Sequence, residues 1–314
     1  VRAVKVAYLP DPTKLASEAG YPSPALLDLL SSQRLSCFTL SPAQLLDGCL
    51  EADGYTLLCI PGGFAPNFAR ALGSQGKALI RSFVRGGGGF IGICAGAFYG
   101  SSIGLDLLPV DILDAHRWAR GCGKCQMAFT PLAATALGSL GPSALLSVRY
   151  ANGPLMQIVE GGSGEAQVHP LAHYASEFAA EELGGSSNFE PIMMGSPAAV
   201  IGYFGLGLVA LVSPHIEDGD DERSRTPFCN LFRLCSRESS YQQYFMGSWG
   251  LDELSRRRND AFQTSPLQQS SSSVVDSKEE STVASAAMKP HAESSRSELI
   301  LHVTCKWTDR FREI

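Results

Sequence analysis

Cys94 stands at the centre of Gly92-Ile93-Cys94-Ala95-Gly96, directly after the apolar run 89–93. A short strand that ends in Gly-x-Cys-x-Gly has the pattern of a sharp strand-to-helix turn, which pushes one side chain into the open. The turn strains its central residue, and neighbouring Cβ atoms would collide, so glycines belong on either side. Cysteine is the most nucleophilic of the common side chains once ionised. A helix beginning at Ala95 would direct backbone N–H groups toward the sulfur and favour its ionised form. The same spacing also arises in glycine-rich strand ends, where a buried cysteine is inert packing.

Two further segments carry complementary chemistry. Residues 205–217 read as a buried-type strand that stops at Pro214 and then offers His215 and Glu217. Residues two apart on extended chain share a side, so Glu217 could hold one nitrogen of His215 while the other faces a thiol. That is the logic of nucleophile, base and orienter, and only the fold need bring Cys94 close. The apolar run 55–60 ends in Pro61-Gly62-Gly63. Glycines past a strand let bare backbone N–H groups approach a reacting carbonyl, so Gly62 or Gly63, with the amide of Ala95, are candidate oxyanion donors. A plain turn is the other meaning of Pro-Gly-Gly.

The elements around these residues alternate. Residues 3–9 form a strand ending at Pro10-Asp11-Pro12, and a helix starts near Ser23. Residues 35–40 form a second strand; Ser41-Pro42 then supplies a cap and a first-turn proline for another helix. A strand over 55–60, a helix over about 74–86, a strand over 89–93 and a helix from Ala95 follow. Such alternation implies an α/β fold with a mostly parallel sheet covered on both faces. Sites in these sheets lie beyond the carboxyl ends of the strands, where all three candidate segments fall.

Residues 105–203 differ: short strands at 147–150, 155–159 and 199–203 joined by Gly, Pro and Ser turns suggest an antiparallel extension. Trp118, Arg120, Tyr150 and Asn152 are candidate lining for the substrate side of the pocket, ordinary packing being the alternative for each. His169 and His173, with Pro170 between them, read as loop residues. Arg120-Gly121-Cys122-Gly123 reads as a tight loop near the site, and the pair Cys122 and Cys125 lacks the companions a zinc site requires. No metal and no other cofactor is expected.

The chain has 314 residues, 45% of them hydrophobic, and a formal charge of -6. That balance suits a sizeable core and argues against nucleic acid as a partner. No apolar run approaches the roughly 20 residues that span a bilayer, so no membrane partner is expected. Nine scattered cysteines, several inside apolar segments, suit a reducing, cytoplasmic setting rather than a disulfide framework. The chain opens on Val1, so a targeting peptide could precede it. A domain over 1–250 is expected, followed by a largely disordered tail over 251–314 with the serine run 270–273. Within that tail, 299–307 reads equally as a strand or as a stray end.

The residues resemble the class I glutamine amidotransferase-like superfamily, and within it the amidotransferase-like domain at the N-terminus of fungal-type biotin–protein ligases. The likeness runs from about Val4 to about Cys235. It rests on Ile60-Pro61-Gly62-Gly63-Phe64-Ala65, on the stretch from Ile80 through Gly88, and on Gly92 to Tyr99. Tyr150-Ala151-Asn152-Gly153-Pro154 and Ser213-Pro214-His215-Ile216-Glu217 complete it. The resemblance implies a flavodoxin-like three-layer sandwich with Cys94, His215 and Glu217 as a catalytic triad. Glutamine-hydrolysing members resemble Gly-x-Cys-x-Gly-x-Gln at the turn; here Phe98 takes the glutamine's position, so it is a candidate substrate contact of different chemistry. The intracellular-protease-like branch carries His directly after its cysteine, where this chain has Ala95. The motifs of the biotin-ligating domain are absent.

The expected function is therefore cysteine-dependent hydrolysis or transfer at an amide or acyl group of a small molecule or peptide. The alternative is a non-catalytic binding or regulatory domain of the same fold, acting through a protein partner.

Overall fold

The computed structural model describes residues 4–13, 24–113, 115–117, 120–138, 144–159, 168–180, 192–218 and 222–236. The chain begins with strand β1 (Lys5–Tyr8), helix α1 (Pro24–Ser32) and strand β2 (Ser36–Thr39). Short helices α2 (Pro42–Leu46) and α3 (Cys49–Ala52) lead to β3 (Leu57–Ile60). Then come the long helix α4 (Ala65–Arg85), β4 (Gly89–Ile93) and α5 (Ala95–Gly100). An antiparallel region follows: β5 (Val110–Leu113), β6 (Cys122–Phe129), α6 (Pro131–Leu137), β7 (Leu145–Ala151), β8 (Leu155–Ile158), β9 (Val168–Tyr174) and β10 (Ala179–Ala180). The hairpin β11 (Pro197–Phe204) and β12 (Gly207–Val212) and helix α7 (Arg225–Cys235) complete the described chain.

Nine strands of one large sheet run in the order β10-β6-β9-β11-β12-β4-β3-β1-β2, with β7 also paired to β6. From β12 to β2 every pairing is parallel, in the flavodoxin-type order. From β12 outward through β11, β9 and β6 every pairing is antiparallel. The expected α/β sheet with an antiparallel extension is thus observed. β12 belongs to both halves, which explains why the segment before His215 pairs with the strand before Cys94. A separate two-stranded sheet joins β5 to β8.

Alternation along the parallel strands sorts the core into two layers. Val6, Tyr8, Leu57, Cys59, Ile91 and Ile93 pack on one face with Leu26 and Leu30 of α1 and Phe228 and Phe232 of α7. Ala7, Leu9, Leu58, Ile60 and Phe90 pack on the other with Phe68, Leu72 and Ile80 of α4. Strands covered on both faces read as continuous apolar runs, as β3, β4 and β12 do. Ser41 caps α2 as expected, in a reciprocal capping box with Gln44.

The helix expected over about 74–86 is observed after Gly73, and a further helical stretch from Ala65, with Pro66 tolerated in its first turn, precedes it across the kink at Gly73 (φ 57°). Two expectations are corrected. His169 and His173 lie in strand β9 rather than in a loop; the pairing with β11 shifts register beside Pro170, which absorbs its missing donor. Cys122 opens the eight-residue strand β6, so Cys122 and Cys125, three apart, face opposite sides of the sheet. The expected boundary at 250 and the tail 251–314 lie outside the described residues. Among the described residues no helix is long and apolar enough to cross a membrane.

Candidate active site

Cys94 takes φ 51° and ψ -106° between β4 and α5. Such backbone costs a side-chain-bearing residue roughly 1–3 kcal/mol and persists only where the surroundings enforce it. Two contacts enforce it here. A Cβ at Gly92 would overlap the Gly96 carbonyl, and a Cβ at Gly96 would overlap the Ile60 carbonyl. The N–H of Cys94 donates to the Val212 carbonyl at 2.8 Å, and that of Gly96 to the Pro61 carbonyl at 3.2 Å. The turn is thereby tied to β12 on one side and to the Pro61-Gly62-Gly63 segment on the other.

His215 arrives from β12. Its N–H donates to the Arg149 carbonyl at 2.8 Å, in a bridge that closes the end of β7 against the end of β12. Its Nδ1 lies 2.8 Å from Glu217 Oε1, and the ring is fully buried. Burial by itself pushes the imidazole's pKa down. The Glu217 carboxylate, then the nearby Cys94 sulfur, outweigh this and lift it to about 10. The two acid–base groups from 215 and 217 and the sulfur of Cys94 therefore meet in one buried cluster, within which the Cys94 sulfhydryl also donates to the Ala151 carbonyl at 3.4 Å.

The remaining candidates fall in different places. Among the described residues no acceptor is hydrogen-bonded to the backbone N–H of Gly62, Gly63 or Ala95. Tyr150 is fully buried; its hydroxyl donates to the Gly153 carbonyl at 2.9 Å and its ring stacks on Phe178. Asn152, at φ 54°, accepts from the Gly121 N–H at 2.7 Å and donates its own N–H to the Gly121 carbonyl. These two residues shape the loop that carries Ala151 to the sulfur. Phe98 is 5% exposed and packs with Ala97 and Tyr99 in the α4 layer. Trp118 lies outside the described residues.

Arg120, a candidate lining residue, is 7% exposed, and its charge acts on Tyr150. Sequence reasoning missed two neighbours. Ser213 is fully buried, accepts from the Tyr174 hydroxyl at 2.7 Å and leaves room only for a glycine at 153. Asp11 is 2% exposed and braces the Pro61–Phe64 turn. The last had a signal: Asp11 sits between two prolines at the carboxyl end of β1, where sites in parallel sheets collect.

Burial pushes the thiols of Cys37 and Cys229 up to about 11 and that of Cys125 to about 12. None of these has a histidine among the causes of its shift. All cysteines among the described residues are free thiols, and those residues hold no group of three or more His, Cys, Asp or Glu side chains arranged to hold a metal ion.

Residues 26–104 match the family model for the N-terminal part of biotin–protein ligase. The biotin–protein ligase N-terminal match spans the Pro61-Gly62-Gly63 turn and the cysteine turn and ends well before His215, so the resemblance drawn from those motifs is borne out. A 166-residue stretch, 51% of the chain, is 32% identical to an uncharacterized protein of Chlamydia muridarum (strain MoPn / Nigg). The match covers 60% of that relative's length. Among solved structures, PurLQS from Thermotoga maritima aligns over 74% of this chain and all of its own, with 15% identity and a TM-score of 0.48. A cytoplasmic protein from Salmonella typhimurium LT2 aligns over 74% of this chain and 99% of its own, with 15% identity and a TM-score of 0.47. Likenesses that distant carry nothing about the chemistry of the site.

Proposed function

We propose that this domain cleaves or transfers an amide or acyl group through a thioester on Cys94. The observation that carries the reading is His215, wholly buried, with Glu217 at 2.8 Å on one ring nitrogen and the Cys94 sulfur acting on the same ring. A cysteine held in strained backbone beside such a pair is costly to keep for packing alone.

The chemistry follows from these positions. The Cys94 sulfur attacks the carbonyl carbon of an amide from a small molecule or peptide, and the carbonyl π electrons move onto oxygen. The N–H groups of Ala95 and of Gly62 or Gly63 receive that oxyanion. His215, lifted to about 10, carries a proton at neutral pH and delivers it to the departing amine. Glu217 holds the ring and stabilises its charge. Water, or an acceptor amine, then releases the thioester. The phenyl ring of Phe98 offers no amide contacts, so glutamine is not the substrate this site favours.

The second reading is a binding or regulatory domain of the same fold, working through a protein partner. What favours it is closure: Cys94 is 6% exposed and Phe98 is packed away.

Thiol labelling separates the two. With iodoacetamide near neutral pH, Cys94 is expected to be alkylated faster than every other cysteine, and His215→Ala to slow that labelling at least tenfold. Labelling of Cys94 no faster than of the remaining thiols favours the binding domain. A screen of amides, with mass detection of a thioester at Cys94, then narrows the substrate.

A further inference from the structure

The carboxylate of Asp11 lies at the end of β1 with 2% of its residue surface exposed, and no cation pairs with it among the described residues. Four donors hold it instead. Its Oδ2 accepts from the Phe64 N–H at 2.8 Å and from Asn67 Nδ2 at 3.2 Å. Its Oδ1 accepts from Asn67 Nδ2 at 3.0 Å, from the Thr13 N–H at 3.0 Å and from the Thr13 hydroxyl at 2.9 Å. Burying an ionised carboxylate is expensive unless such bonds are all made, so the group is retained for what it holds.

What it holds is the Pro-Gly-Gly turn. The hydrogen bond to Phe64 fixes the plane of the peptide that links Gly63 to Phe64. Gly63 itself, at φ 151°, lies against the same carboxylate: a Cβ there would come within 2.8 Å of Asp11 Oδ2. With the following peptide fixed and the carboxylate closing the space beside Gly63, the chain's path through the turn that carries the Gly62 and Gly63 N–H groups is constrained as well. The next contact of the turn is the cysteine segment, through Gly96 N–H and the Pro61 carbonyl at 3.2 Å. The N–H groups of Gly62 and Gly63 remain uncommitted among the described residues.

From this we infer that Asp11 is a positioning residue for the oxyanion site: through Phe64 and Gly63 it aims the Gly62 and Gly63 donors at a carbonyl under attack by Cys94. The inference rests on the thioester reading above and adds to it a residue that touches neither substrate nor sulfur. Asn67, which donates to both carboxylate oxygens, braces Asp11 in turn.

Two reagents that use the same sulfur differently test it. Alkylation by iodoacetamide displaces iodide from carbon in one step: an S–C bond forms, iodide leaves with its electron pair, and no oxyanion appears. With p-nitrophenyl acetate the thiolate sulfur of Cys94 adds to the ester carbonyl, whose π electrons move onto oxygen while His215 keeps its proton. The oxyanion then collapses, expelling p-nitrophenolate and leaving an acetyl thioester on Cys94. Aiming the donors matters only in the second reaction, where losing one costs roughly 10²–10³ in rate. Both modifications are read by mass at the Cys94 peptide of the full chain.

Asp11→Asn, which sets an amide donor against Phe64 N–H or Asn67, is expected to slow acetylation of Cys94 at least tenfold while alkylation stays within twofold of wild type. Asn67→Ala, a milder change that keeps the carboxylate, is expected to slow acetylation about threefold with the same unchanged alkylation. Equal loss in both reactions, or no loss of acetylation in either variant, overturns the positioning role. If wild-type Cys94 is alkylated rapidly but never acetylated, the thioester reading falls and the positioning role falls with it. If wild type is acetylated and Asp11→Asn matches it, the positioning role alone falls. Should Asp11→Asn not fold, Asn67→Ala decides by the same comparison.

Discussion

Glu217 Oε1 lies 2.8 Å from Nδ1 of His215, and the two side chains are shut off from solvent, at 1% and 0% exposure. This buried imidazole keeps its proton because the attraction of the Glu217 carboxylate and of the Cys94 sulfur together outweighs what desolvation takes away. The pair is consequently a measurable part of the stability.

That stability should depend on pH in a defined direction. A histidine raised to about 10 in the folded chain, against about 6.5 unfolded, contributes stability that is complete below about 6.5. The contribution is lost as pH rises through about 10. Denaturant titrations of wild type and His215→Gln should therefore differ most below pH 6.5 and converge toward pH 10. A difference that grows with pH would contradict the pairing with Glu217.

Glu217→Gln keeps an oxygen for Nδ1 but removes the charge. The midpoint for protonation of His215, followed by ring carbon NMR signals, should drop well below about 10, since the leading upward cause is gone. Cys94 alkylation near neutral pH should slow several-fold. An unmoved midpoint would assign the raised value to Cys94 alone.

Cys94 holds backbone that glycine adopts freely. Cys94→Gly should therefore be more stable than Cys94→Ala by about 1–2 kcal/mol, the strain released outweighing glycine's entropy. Equal stability of the two variants in urea would mean the turn is not strained.

Gly96→Ala tests the neighbouring constraint, since its methyl would overlap the Ile60 carbonyl, a backbone atom that cannot swing aside. A loss of about 2 kcal/mol or more is expected, with the bond from Gly96 N–H to the Pro61 carbonyl broken. A wild-type melting temperature would refute the close approach.

Much of this was legible in residue types and order. The apolar runs at 57–60, 89–93 and 207–212 announce strands covered on both faces, because only such strands can be apolar without alternation. Ser41-Pro42 announces a helix start through local hydrogen bonding that needs no tertiary partner. The glycines about Cys94 are local too, as a strained turn excludes Cβ atoms nearby. The strand through His169 and His173 was hidden because Pro170 argues against a ladder; only partners on both sides, with a shift in register, make it one.

By itself, then, the sequence determined which groups with chemical potential exist and at which strand ends they stand, since those depend on short-range patterns of burial and backbone freedom. Only the tertiary structure decided that β12 lies beside β4. That pairing, between segments more than a hundred residues apart, brings His215 to the sulfur of Cys94. It likewise decided that Asp11 lies under Gly63 and that Phe98 and Tyr150 are packed inward. Contacts of that separation are set by how whole layers close over the sheet, which no local spacing records.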